Sequence, residues 1–234
     1  MTASVPTVLV FDFDGVILES AEIKTRAFCE LFSAYPDHVD AIVAYHEANT
    51  GISRFKKFRH IYDHILAMPL TTRAEHKLGK RFAALVVEEV LRCPFVPGAF
   101  ELLRACSCTH ALFIASGTPE EELRRLVMAR GLAGLFREVH GSPKTKDVIL
   151  ENILAVTRAP RTSVLFVGDG LSDYEAAKTA GVTFIGRVRP AGRNLFEPFG
   201  VPVVEDLFAL GRMLEGRGTT HLAGSPGAFG RGGA

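Results

Sequence analysis

No tryptophan occurs in the 234 residues, cysteine and methionine are held to four each, and no apolar run approaches the length of a membrane span. The cysteines, Cys29, Cys93, Cys106 and Cys108, are irregularly placed and form no CxxC pair, which excludes a disulfide framework and implies reduced thiols. The opening MTASVPT lacks the basic-then-apolar order of a secretion signal. An excess of either charge is also missing. The net charge of +1 excludes a strongly basic nucleic-acid binder. The expectation is a cytoplasmic protein with neither membrane nor nucleic acid as partner.

What remains is ordinary globular material, 47% hydrophobic and 23% charged, long enough to bury a sizeable core. Three continuous apolar runs, VLVFD at 8–12, ALFIAS at 111–116 and VLFVGD at 164–169, predict strands covered on both faces. Weaker strands are expected at 183–188 and 201–204. Helices are expected at 97–106, 119–130, 146–156, 172–180 and 205–214, the second opening on Pro119 with three glutamates in its first turn. This alternation predicts an open α/β fold, a mainly parallel sheet flanked by helices.

Residues 20–92 interrupt it. They hold no convincing strand and are expected to be helical at 21–33, 38–49, 53–66 and 73–91, an all-helical insertion after the first strand. The expected division is an α/β core over 1–19 and 93–215, the helical block over 20–92, and a Gly-rich flexible tail over 216–234.

In such sheets ligands bind at the carboxyl ends of the strands, and all three strong strands put polar groups there. Asp12 and Asp14 follow the first, Ser116 and Gly117 the second, and Asp169 and Asp173 the third. Four clustered carboxylates raise the cost of ionising one another, and a hard divalent cation, best Mg2+ with its few carboxylates and retained waters, would offset them. Ser116-Gly117-Thr118 offers a hydroxyl and backbone N–H groups to a phosphate oxygen, and Lys144 or Lys146 could reach the same crevice. The inventory suggests phosphoryl transfer. Asp12 and Asp14 would face opposite ways on a regular strand, so for both to serve one crevice the backbone must turn after Asp12, with Gly15 supplying the freedom.

DFDGV at 11–15, IASG at 114–117, GSPKTK at 141–146 and GDGLSD at 168–173, in this order, resemble the motifs of the haloacid dehalogenase superfamily. The resemblance implies a Rossmann-like core with the block at 20–92 as a helical cap. It implies Asp12 as nucleophile and Asp14 as general acid and base, with Ser116 and Gly117 on the phosphate. Asp12, the backbone carbonyl of Asp14, and Asp169 would hold Mg2+, with Asp173 a further ligand through water or an orienter of the lysine. Lys146 is favoured over Lys144 because it directly precedes the apolar helix DVILENIL, as the family's lysine does in many phosphatases.

The second aspartate implies phosphate chemistry rather than dehalogenation. TGISR at 50–54 resembles a loop of the phosphosugar mutases, which places Arg54 near a second substrate group. Lys24, standing where the mutases carry a histidine, is a further substrate-binding candidate, and Gly168 stands where they have glutamate. The expectation is therefore a Mg2+-dependent phosphatase of a small phosphorylated metabolite, a sugar phosphate or phosphoglycolate-like, through an aspartyl-phosphate. A phosphosugar mutase and a non-catalytic binding protein are the alternatives. His60 and His64 are expected on an ordinary polar face, Cys106 and Cys108 as inert packing, and Lys56, Lys57 and Arg59 as a solvated helix face.

Overall fold

The computed structural model describes residues 6–190 and 192–219. Strand β1 (Val8–Phe11) is followed by four helices, α1 (Ala21–Leu31), α2 (Val39–Ala48), α3 (Arg54–His60) and α4 (Thr72–Arg92). One wider π-type turn at Ile61–Ile65 extends α3. Then come α5 (Ala99–Cys106), β2 (Ala111–Pro119), α6 (Glu120–Ala129), β3 (Glu138–Ser142), α7 (Lys146–Thr157) and β4 (Val164–Gly168). The chain closes with α8 (Leu171–Ala180), β5 (Thr183–Arg187), β6 (Val203–Val204) and α9 (Leu207–Thr219).

The strands form one sheet in the order β3-β2-β1-β4-β5-β6, parallel at every pairing. β1 and β4 lie at its centre, which explains their unbroken apolar sequences: both faces are covered. Alternate side chains divide between two layers. Val8, Val10, Phe113, Val164 and Phe166 pack with the α7 and α8 residues Ile149, Ile153 and Ala177. Leu9, Phe11, Leu112, Ile114 and Leu165 pack with Leu103, Leu123 and Leu210 of α5, α6 and α9. That second layer runs on without a break into the helices after β1, through Phe28, Phe32, Phe58, Phe82 and Val86.

Three expectations need correction. β3 was not foreseen, because EVHGS offers a single large aliphatic side chain; it is the edge strand beyond β2, aligned with it at Phe113 to Ala115. α6 begins at Glu120 rather than Pro119. β2 continues to Pro119 through a register shift after Ala115, so Ser116-Gly117-Thr118 is a bulge in a strand rather than a helix start. α9 runs to Thr219, past the expected end at 214 and into the expected tail, whose remainder from 220 onward lies outside the described residues. Among the described residues no helix is long and apolar enough to cross a membrane.

Phe58 is fully buried, and its ring meets those of Phe28, Phe32, Phe55 and Phe82. Phe58→Ala is expected to cost about 3–5 kcal/mol through lost contacts and a residual cavity, measured as a lower midpoint in urea denaturation.

Candidate active site

β1 delivers Asp12 to the carboxyl edge of the sheet, where its N–H donates to Val167 O of β4 at 2.9 Å. The side chain is 1% exposed, and its Oδ1 accepts from the Phe13 N–H at 2.7 Å. Lys146, the first residue of α7, puts Nζ 3.0 Å from Asp12 Oδ2 and also pairs with Asp173. Burial works against its charge, but Asp12 and Asp173 hold the ammonium well above the ordinary lysine range. Lys144 is exposed.

Asp173 belongs to the first turn of α8 and reaches back to accept from the Gly170 N–H at 3.0 Å, with its side chain wholly buried. Carboxylate oxygens of Asp12, Asp169 and Asp173 lie within 4.8 Å of one another, a set of hard donors able to hold a divalent cation. The charge state of the three fits such a guest. Burial pushes Asp12 up, opposed by Lys146 and reinforced by Asp173, Asp169 and Asp14. Burial and then Asp173 push Asp169 up to about 7. Among the described residues no side-chain cation pairs with Asp169, so burial and Asp173 hold it toward its neutral form until a cation is supplied.

Asp14 lives in a different environment. The chain turns at Gly15, whose φ is +78°, and the Gly15 N–H closes the turn on Leu18 O at 2.8 Å. A side chain at Gly15 would set its Cβ 2.1 Å from Asp169 Oδ2, so the turn requires glycine twice over. Asp14 thereby points at Ser20, Lys24 and Thr118. Ser20 precedes α1 and, instead of capping that helix, donates to Asp14 Oδ1 at 2.7 Å. Thr118 Oγ1 donates to Oδ2 at 2.9 Å, and Lys24 pairs with the same oxygen. Burial would raise Asp14, but Lys24, Ser20 and Thr118 outweigh it and hold the carboxyl below its ordinary value. With its carboxylate so engaged, only the backbone of Asp14 is left to serve a cation beside Asp169. Lys24, expected beside the substrate, lines the cavity with its ammonium committed to Asp14 and Thr118.

The helices after β1 cover this edge. The loop Thr50-Gly51-Ile52, between α2 and α3, touches the sheet side at three places: Ser172 Oγ donates to Thr50 O at 2.8 Å, and Cβ atoms added at Gly117 or Gly170 would fall within 2.4 Å of Gly51 O and 2.6 Å of Thr50 Oγ1. A cavity remains between the two parts, bordered by Asp12, Asp14 and Asp169 on one side and by Phe28, His46, Arg54, Lys57 and Phe82 on the other. Ser116, Gly117 and Thr118 also line it, and the Thr118 N–H is held by Ser116 Oγ at 3.1 Å. Arg54 reaches the cavity over the Phe82 ring, 4.7 Å from its centroid, and pairs with Glu122 of α6.

Sequence reasoning missed His46 and Lys57. Lys57 was assigned to a solvated face, and while Lys56 and Arg59 are exposed, Lys57 is 3% exposed. The signal was the spacing Arg54, Lys57, Phe58, Ile61, which puts Lys57 on the buried stripe of α3. His60 stacks on His64 and on Tyr45 at the surface side of that helix, and neither histidine lines the cavity.

Three comparisons bear on this arrangement. A family model described as haloacid dehalogenase-like hydrolase matches residues 9–187. No curated protein matches the sequence. Among solved structures, a predicted phosphatase from Clostridium acetobutylicum is similar at 16% identity and a TM-score of 0.71, over 91% of this chain and 100% of that one. A hydrolase from Pseudomonas syringae reaches 20% identity and 0.74, over 90% and 98%. CbbY from Rhodobacter sphaeroides, a mutant in complex with xylulose-(1,5)bisphosphate, reaches 19% and 0.69, over 88% and 96%. At these identities the likeness establishes the fold.

The crowding has a measurable consequence. In the folded chain Asp169 keeps its proton to about pH 7, whereas unfolded it loses it near 3.8, so between those values the folded state binds more protons and its stability falls as pH rises. Asp169→Asn removes this loss. The metal-free variant is expected to melt higher at pH 7.5 by at least about 2–4 °C, the shift for 1 kcal/mol in a chain of this size, and a divalent cation that raises the Tm of the unaltered chain should no longer do so.

Proposed function

The chain belongs to the haloacid dehalogenase-like hydrolases, and on that footing we propose that it is a phosphatase of small phosphorylated metabolites, working through an aspartyl-phosphate on Asp12. One observation carries the reading: two carboxylates two residues apart are held in opposite electrostatic settings, Asp12 beside Lys146 in the metal-competent cluster and Asp14 outside it in a ring of donors. A nucleophile and a proton carrier need that separation.

Asp12, Asp169 and the Asp14 carbonyl would hold Mg2+, with Asp173, which engages Lys146 and the Gly170 N–H, as a further ligand through water or as orienter of the lysine; bound there, the ion would supply positive charge to the phosphoryl oxygens. Lys146 keeps Asp12 oriented and partly neutralised, so that Oδ2 can meet a phosphate without full charge repulsion. The Ser116 hydroxyl and the backbone at Gly117, which line the same cavity, would receive the remaining phosphoryl oxygens.

In the first half-reaction an Asp12 oxygen forms a bond to phosphorus and the ester oxygen leaves, taking a proton from Asp14. In the second, a water attacks phosphorus, its proton passes to Asp14, and the Asp12–phosphorus bond breaks to return the carboxylate and inorganic phosphate. As held in this structure Asp14 is charged, ready as the base. For the acid step it uses the proton that the attacking water leaves on it in the second half-reaction, while the Lys24 ammonium holds the carboxyl in position. The helical block at 20–92 acts as the cap, its Thr50-Gly51-Ile52 loop closing on the core and excluding bulk water.

Asp12→Asn is expected to abolish phosphate release from all esters the wild type hydrolyses; unchanged turnover would refute the scheme. Asp14→Asn should slow turnover by about 10²–10⁴-fold and let an acid-stable, hydroxylamine-sensitive phosphoenzyme accumulate. Free phosphate distinguishes this reading from a mutase, which would interconvert isomers and release little of it. Because Lys24 keeps Asp14 low, Lys24→Met should move the acidic limb of the kcat profile to higher pH, as Asp14 is then protonated sooner.

A further inference from the structure

Lys57 is the cation in the cavity wall that lacks an anion. The other two are compensated, Lys24 by Asp14 and Arg54 by Glu122, and Lys146, behind the wall, is held by Asp12 and Asp173. Lys57 lies within ion-pair distance of no carboxylate among the described residues. Its bonds go to His46 Nδ1 at 2.9 Å and His46 O at 3.2 Å, both neutral acceptors, and Nζ sits 5.5 Å from the centre of the Phe28 ring. His46 cannot serve as counter-charge. Burial, then Lys57 and Lys24, drive its imidazole down to about 2, so it stays neutral with Nδ1 as acceptor.

A buried ammonium without a partner is costly, and an apolar side chain of similar size would be more stable there. The cost shows in Lys57 itself: burial and then Lys24 pull its pKa down to about 7, more than Asp169 and Asp14 restore. The environment is nevertheless built around it. His46 is buried, stacks on Phe28 at 4.3 Å, and offers Lys57 both its ring nitrogen and its carbonyl. That fixes the ammonium at the wall of the cavity on the cap side, across from Asp12.

We propose that Lys57 is a specificity-determining residue that receives a second anionic group of the substrate, a phosphate or carboxylate distant from the phosphoryl group that meets Asp12. Arg54, one turn earlier on α3 and on the same wall, flanks that position. This rests on the phosphatase reading and narrows it, from phosphate monoesters in general to those with an anion at each end. A neutral sugar monophosphate leaves the Lys57 charge unpaired in a closed cavity, and a two-anion substrate does not.

The test compares matched pairs: a sugar monophosphate against the corresponding bisphosphate, and ethyl phosphate against 2-phosphoglycolate, assayed with wild type, Lys57→Met and Lys57→Arg. Wild type should favour the two-anion member in kcat/KM. Lys57→Met should lower that preference by about 10–100-fold, mainly through KM, and Lys57→Arg should restore part of it. The first pair reports a distal phosphate, the second a distal carboxylate. Since the substitution removes an unpaired buried charge, Lys57→Met should fold with an unchanged or higher Tm without ligand.

An equal loss on both members of each pair, or a wild type that prefers the monoanionic members, would overturn the proposal. Binding provides a readout independent of turnover. In Asp12→Asn, the Tm rise given by a sugar bisphosphate over its monophosphate should vanish when Lys57→Met is added; a rise that persists would count against Lys57. If no ester is hydrolysed, the phosphatase reading fails, and this binding measurement still decides the role of Lys57.

Discussion

Lys146 bridging Asp12 and Asp173 is the contact on which the site depends. Three carboxylates converge at the carboxyl ends of β1 and β4, and without a cation among them they raise the cost of ionising one another. The ammonium arrives at the start of α7, where it does not add to the positive end of a helix dipole by accident: Asp12 and Asp173 are both within its reach, so the helix terminus and the two acids offset one another. Asp169, with which no side-chain cation among the described residues pairs, is pushed toward its neutral form by burial and Asp173. A divalent cation held there would supply the partner that the side chains do not.

Close approach is the second constraint, and glycine meets it where the parts of the site touch. Gly15 lets the first loop turn against Asp169; Gly51, with φ at +82°, brings the loop between α2 and α3 down onto Ser172 and Lys146. Any side chain at either position would collide with a charged group of the site. The turn at Gly15 also separates Asp12 from Asp14, so the geometry that resolves the steric problem also resolves the chemical one. Two acids that would otherwise share one setting line the same cavity with different partners.

Much of this was legible in the sequence, for identifiable reasons. The central strands β1, β2 and β4 betray themselves as continuous apolar runs because both their faces are covered, and an acid at the end of such a run has few structural explanations. β3 was not legible, since an edge strand is held by neighbouring backbone more than by its own side chains. Ser116-Gly117-Thr118 was visible as polar equipment, but a strand bulge and a helix start share the same residues. Lys57 was misread for a physical reason: within KKFRH, composition points to solvent, and only the helical spacing from Arg54 to Ile61 points inward. Pairings such as Lys24 with Asp14 join residues that local pattern cannot orient, because they depend on how α1 meets the turn before it.

The two ends of the cavity are unbalanced in opposite senses. At the sheet, Asp169 is an acid that no side-chain cation among the described residues pairs with; on α3, Lys57 is a base with only neutral acceptors. They do not neutralise each other, although they line one cavity, because each is pulled toward its neutral form by burial more strongly than the other pulls it back. A hydrophobic pair would stabilise the empty protein better at both places. What satisfies both at once is a guest that brings a cation to the sheet and an anion to the helix, and a phosphate ester bound with Mg2+ and carrying a second acid group does so. Complementarity here lies in the charges the protein leaves unpaired, so affinity for such a guest and stability in its absence are set by the same residues and move in opposite directions.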